Sequence, residues 1–182
     1  IVRSKLHKMN RLEDLNDTQA ELMAKGLLCS KEVAKEKLRK IVYDGLKKYF
    51  KRIKCYDNVP ETFEKFKNAG FKLALLSDFP PEQKGEIWGV KKYCDVVLGT
   101  EQLGALKPDP YSFLEMAKML NVEPSKILYV EKSKKYDVAG SHNAGMKCAY
   151  LVPFRKRLFK KFIKEPEICF SNYRQLQDIV LQ

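Results

Sequence analysis

The chain has 182 residues, with 35 Lys and Arg against 23 Asp and Glu, a formal net charge of +12. At ~100–150 residues per domain this bounds it to one domain, or one domain with a small helical appendage, and excludes two full catalytic domains. Hydrophobic residues make up 45% and there are only nine Gly and eight Pro, which excludes disorder and fibrous repeats.

No apolar run approaches the ~18–20 residues of a membrane span, and the opening IVRSKLHKMNRLEDLND lacks the apolar stretch of a signal peptide. A cytoplasmic address is the expectation. Cys29, Cys55, Cys94, Cys148 and Cys169 lie far apart and form no C-x-x-C pair, so they read as reduced, mostly buried thiols.

In chain order, apolar residues recur at helical spacing from Leu6 to Ile53, without Pro or strand-type alternation. The clearest stretch opens at Ser30, an N-cap residue, and is expected to carry Val33, Leu38, Ile41, Val42, Leu46, Tyr49, Phe50 and Ile53 on one side. Pro60 then opens a second helix, ETFEKFKNAG, with Phe63 and Phe66 inward and Gly70 as its C′ residue. After Gly70 the period changes. Short apolar runs at 71–76, 95–98, 127–130 and 148–152 read as parallel strands buried on both faces. Segments of helical length lie between them, from Pro81 to Tyr93, Pro110 to Leu120 and Asp137 to Ala144. Strands alternating with helices imply a doubly wound, Rossmann-like α/β sheet.

Ligands of open α/β sheets sit beyond the carboxyl ends of the strands. The residues there are Ser77-Asp78, Gly99-Thr100-Glu101, Glu131-Lys132-Ser133 and Pro153, with Lys107 of LGALKPDP able to reach the same rim. A hydroxyl, two ammonium groups and helix N-termini on one rim make an anion site, with phosphate the leading biological anion. Each residue also has a plainer reading. Ser77 suits a turn, Lys107 a solvated loop charge, and Asp137 a helix cap or dipole partner.

The order LALLSDFP, LGALKPDPYSFLEMAKMLNVEPSKILYV and EKSKKYDVAGSHNAGM resembles the haloacid dehalogenase-like (HAD) phosphatase superfamily over roughly residues 57 to 152. The resemblance implies a hydrolase of small phosphorylated metabolites. Ser77 then hydrogen-bonds the phosphate, and Lys107 neutralises phosphate and nucleophile. Lys132 and the strand-end backbone of Asp78 complete the phosphate-binding set. The region 1–56 resembles the helical cap of such enzymes, and 57–182 their α/β core.

The family's chemistry is attack on phosphorus by an Asp nucleophile, with a second Asp as acid and base and Mg2+ neutralising the charge between them. Both Asp residues belong to a D-x-D motif on the first strand, and this chain contains no such motif; Glu13, Asp14 and Asp17 lie in helix-like sequence. The resemblance also places Glu131 at a Gly position and Lys132 at a metal-binding Asp position. A Lys there repels Mg2+, leaving Asp137 as a weak metal ligand and Glu131 as a substitute. The absent strand is central in the family, so a gap of about 10 Å is expected between the strands ending at Leu76 and Val130. Either the sequence is a fragment of a longer protein, or another strand of this or a second chain fills the place. The expectation is therefore impaired or absent activity. A non-catalytic phosphate-binding or regulatory protein is the alternative.

The basic excess falls in two clusters. Lys47, Lys48, Lys51, Arg52 and Lys54 form one; Arg155, Lys156, Arg157, Lys160, Lys161 and Lys164 form the other, opposite Phe154, Leu158, Phe159, Phe162 and Ile163. The second suits a surface helix docked on the domain, or a binder of nucleic acid or an acidic membrane surface, although no nucleic-acid module accompanies it.

Overall fold

A computed structural model describes residues 2–153 and 166–182. It opens on helices, as the periodicity requires. α1 (Val2–Leu6) and α2 (Leu15–Leu27) pack through Leu6 and Leu15 onto Leu106. Ser30 caps α3 (Lys31–Lys37) by accepting from the Val33 amide at 3.3 Å. The helix then runs through a π-helical stretch, Leu38–Asp44, into α4 (Gly45–Phe50). The expected single apolar side is only partly realised. Ala34 and Leu38 are buried, whereas Val33, Ile41 and Tyr49 are exposed. A wider helical turn changes the rotation per residue, so a 3.6-residue projection carried through it assigns faces wrongly.

α5 (Val59–Asn68) has Pro60 in its first turn, Phe63 and Phe66 packed inward, and Gly70 beyond its end at φ 84°. β1 (Ala74–Ser77), β2 (Val96–Gly99), β3 (Leu128–Glu131) and β4 (Lys147–Leu151) follow at the expected places and pair in parallel. α6 (Pro110–Leu120) is capped by Asp109, which accepts from the Tyr111 amide. A π-helical turn, Lys134–Val138, leads into α7 (Ala139–Asn143). β5 (Ile168–Phe170), parallel to β4, and α8 (Tyr173–Val180) lie beyond the elements expected from periodicity.

The helix expected from Pro81 to Tyr93 is absent. Three short 3₁₀ turns stand there instead, Pro81–Lys84, Ile87–Gly89 and Lys91–Tyr93. Positive φ at Gly85, Ile87, Trp88 and Gly89 interrupts any continuous helix. Burial also departs from expectation for the thiols: all five cysteines are free, and only Cys148 is fully buried.

The sheet is in two parts. β1 pairs with β2, and β3 with β4 and β4 with β5, but no ladder joins β1 to β3. Both parts pack on α6, because Leu76 and Tyr129 both contact the cluster around Phe113. β1 and β3 are half-buried along their whole length, while Cys148 to Leu151 of β4 are buried. A parallel strand is ordinarily covered on both faces and paired on both edges. The expected break beside β1 and β3 is thus present as an interruption in the sheet, and the same break leaves these two strands more exposed than their apolar sequence predicts. Among the described residues no helix is long and apolar enough to cross a membrane. The second basic cluster, with its apolar face, lies outside the described residues.

Candidate active site

The carboxyl ends of β1 and β3 converge on Lys107. Its loop is held by a close approach of two backbones. Leu12 donates its amide to the Gly104 carbonyl at 2.9 Å, and a Cβ on Gly104 (φ 73°) would lie 1.9 Å from the Leu12 oxygen. Lys107 is only 8% exposed, so it is no solvated loop charge. Its Nζ donates to Asp137 Oδ1 at 2.5 Å and lies 3.5 Å from the Tyr129 hydroxyl, which donates to the same carboxylate oxygen at 3.2 Å. Burial opposes the Lys107 charge, but the carboxylates of Asp137, Asp78 and Glu131 outweigh it and hold its pKa above the usual lysine value. Burial, with Asp137 next to it, pushes the Tyr129 hydroxyl well above the ordinary tyrosine range.

Asp137 serves this pair rather than capping a helix. The cap is Ser133, whose Oγ accepts from the Tyr136 amide. Ser77 ends β1, and its Oγ accepts from the Phe79 amide at 3.2 Å. That is the turn role expected of a strand-end Ser, and it leaves the hydroxyl proton to donate. Asp78 is tied more tightly than expected. Its Oδ1 accepts from Thr100 Oγ1 at 3.0 Å and from the Lys107 amide at 3.4 Å, and its carbonyl accepts from Arg3 at 2.9 Å. Asp78 therefore joins β1 to the Lys107 loop through its side chain.

Glu131 and Lys132 diverge at the end of β3. The Glu131 carboxylate accepts from the Lys132 amide at 3.0 Å. Burial and the nearby Asp137 raise its pKa. The Lys132 ammonium donates to the Tyr56 hydroxyl at 2.8 Å and is exposed. No hydrogen bond or ion pair joins it to Ser77, Asp78 or Lys107 among the described residues, because Tyr56 supplies an acceptor that sequence spacing does not show.

The helical segment before Asn58 also reaches the site. His7 Nδ1 is 2.5 Å from the Lys107 carbonyl, its Nε2 is 3.8 Å from Asp78 Oδ2, and its ring stacks on Tyr136. Arg3 pairs with the buried Glu101 and lies over the Phe79 ring. Tyr43 donates to Glu101 at 3.2 Å, and burial beside that carboxylate raises its pKa to about 12. From the other side Phe50 meets Phe79 edge-on.

The residues present do not fit a Mg2+ ion. Asp137 is engaged by Lys107 and Tyr129, Asp78 by Thr100 and the Lys107 amide, and the charge at position 132 is positive. No group of three His, Cys, Asp or Glu among the described residues is arranged to hold a metal ion.

A family model for haloacid dehalogenase-like hydrolases matches residues 5–151. The chain belongs to this family. A phosphoglycolate phosphatase of Aquifex aeolicus is 30% identical over 126 residues, 65% of this chain and 59% of that protein. A glyceraldehyde 3-phosphate phosphatase of Methanopyrus kandleri is 32% identical over 100 residues, 53% of this chain and 43% of that protein. The crystal structure of a 2-haloacid dehalogenase from Pseudomonas syringae pv. tomato superposes with a TM-score of 0.70 at 20% identity, over 99% of this chain and 78% of that one, a likeness of fold. The chain spans about three fifths or less of the curated relatives it matches.

Within this HAD-like chain, three site residues escape sequence reasoning: Arg3, His7 and Tyr129. Tyr129 had a signal, the one hydroxyl inside the apolar run 127–130. Arg3 and His7 had none, because their helix precedes every strand and only the tertiary fold brings it to Asp78.

Proposed function

We propose that the site receives the phosphoryl group of a small phosphate ester, anchored by the Ser77 hydroxyl and the Lys107 ammonium, and that this chain alone binds the ester without hydrolysing it. The buried Lys107–Asp137 pair at the converging ends of β1 and β3 carries this reading, since it fixes a cation beside the Ser77 turn at low solvent exposure. In-line attack on phosphorus needs an ionised carboxylate free to approach. Asp137 and Asp78 are committed to hydrogen bonds, and burial favours the neutral form of Glu131.

The interruption between β1 and β3 supports the second half of the proposal. One parallel strand fits between two strands separated by two spacings of ~4.8 Å, and a carboxylate at its carboxyl end would face Lys107. The helices before Asn58 act as the cover, with Phe50 over the 79–84 turn; the division at residue 56 is part of this proposal, with α1 standing on the core side through Arg3 and His7.

Calorimetric titration with inorganic phosphate tests the binding, and p-nitrophenyl phosphate, with and without Mg2+, tests the turnover. Phosphate binding without hydrolysis is expected. Mg2+-dependent hydrolysis abolished by Lys107→Met would overturn the non-catalytic half, and no phosphate binding would overturn the whole reading.

A further inference from the structure

From Gly45 to Tyr56 the chain carries five cations, Lys47, Lys48, Lys51, Arg52 and Lys54, and no carboxylate. All five are exposed and none has an ion-pair partner among the described residues, whereas Arg39 and Lys40 just before them pair with Asp44 and Glu36. Three rings are interleaved with this charge. Tyr49 and Tyr56 belong to the same segment, Trp88 to the turn Ile87–Gly89, and each leaves about half its surface open. Trp88 is pinned to the segment by its Nε1, which donates to the Ile53 carbonyl at 2.7 Å. Tyr56 is held by the Lys132 ammonium, which donates to its hydroxyl at 2.8 Å and brings a sixth exposed cation from the end of β3. Leu46, Phe50 and Ile53 are half-buried, with Phe50 edge-on against Phe79. The segment thus presents ring faces and unpaired charge to solvent and turns inward the apolar side chains that a bilayer would take up.

We infer that this surface binds single-stranded nucleic acid, with phosphates on the cations and bases stacked on Tyr49, Tyr56 and Trp88. A single strand is the polyanion that offers both chemistries: its bases are free to stack, whereas a duplex hides them and a bilayer has none. The binding uses neither Ser77 nor Lys107, so it stands or falls apart from the phosphate-ester reading. Contact with about four to six phosphates, at roughly 0.7 per contact, gives a slope of log affinity against log salt of about −3 to −4.

The test is fluorescence anisotropy of a labelled oligothymidylate of ~20 nucleotides titrated with the full chain between ~50 and ~200 mM salt. The native chain should show that slope and should bind the single strand more tightly than a duplex of the same length. Lys51→Gln, Arg52→Gln and Lys54→Gln together should weaken binding ~10-fold at the lower salt and flatten the slope by about 2. Lys118→Gln, Lys126→Gln and Lys147→Gln together remove the same charge from the opposite rim, where Lys126 precedes β3 and Lys147 opens β4, and should change affinity by less than about twofold. Tyr49→Ala should cost ~5-fold or more with the slope unchanged, and Tyr49→Trp should keep the affinity. No binding at the lower salt, equal losses in the two triple variants, or native affinity in Tyr49→Ala overturns the inference. So does equal or tighter binding of the duplex, which needs no variant, or tighter binding to phosphatidylserine vesicles than to the oligonucleotide, which would assign the patch to a membrane surface.

Discussion

Replacing Lys107 by Met isolates what the buried pair contributes. The two side chains are 9% and 5% exposed, and Nζ and Oδ1 are 2.5 Å apart. At an effective dielectric of ~20 the Coulomb attraction at this separation is about 6–7 kcal/mol, most of it offset by desolvation, and removing one member of such a pair costs about 3–5 kcal/mol. The loss should depend on pH with a definite sign. Met leaves Glu131, whose pKa burial and Asp137 already raise, without the Lys107 ammonium that opposes the rise, so Glu131 gains a further reason to hold a proton. At pH 4 it holds that proton and the variant should lose less than at pH 7. As pH rises toward 7 Glu131 must ionise without the counter-charge, and the full cost appears. Urea denaturation of native chain and variant at pH 4 and pH 7 measures this. A loss below about 1 kcal/mol at pH 7, or equal losses at both values, would refute the buried-pair account.

Glu131→Gln should raise stability at neutral pH, because burial and Asp137 raise the carboxyl's folded pKa above its unfolded value. Its stabilising contribution is complete below the unfolded pKa and lost as pH rises through the folded one, so thermal melts should show the gain at pH 7 and little gain near pH 4. Gly104→Ala should destabilise by several kcal/mol, since its Cβ would collide with the Leu12 carbonyl and the residue sits at φ 73°; a melting-temperature change under 2 °C would contradict that close approach. An extended apolar peptide added in trans should stabilise the chain if the break between β1 and β3 accepts a strand, whereas a scrambled polar peptide should not.

Much of the fold is legible in the residues, for reasons that also mark where legibility stops. Parallel strands are short apolar runs because both faces are covered, so β1 to β4 announce themselves; α6 does so through Asp109, Pro110 and its 3.6-residue pattern. β5 has only three residues, too few for a period. The segment 81–93 carries helical composition, yet its backbone takes left-handed conformations at Ile87 and Trp88, which propensity does not foresee. At the site, Ser77 at the end of β1, Lys107 in the loop before α6 and Asp137 in the turn after β3 could be named. Their pairing, the burial of Lys107 and the turn of Lys132 toward Tyr56 depend on neighbours remote in sequence.

Phosphate titration of the native chain, with Lys107→Met and Ser77→Ala beside it, tests the central claim most directly. The native chain should gain about 2–3 kcal/mol of stability at phosphate concentrations near 100 times its Kd, Ser77→Ala should bind more weakly, and Lys107→Met should show no gain. Equal stabilisation of all three by phosphate would place the anion elsewhere and contradict the site described between β1 and β3.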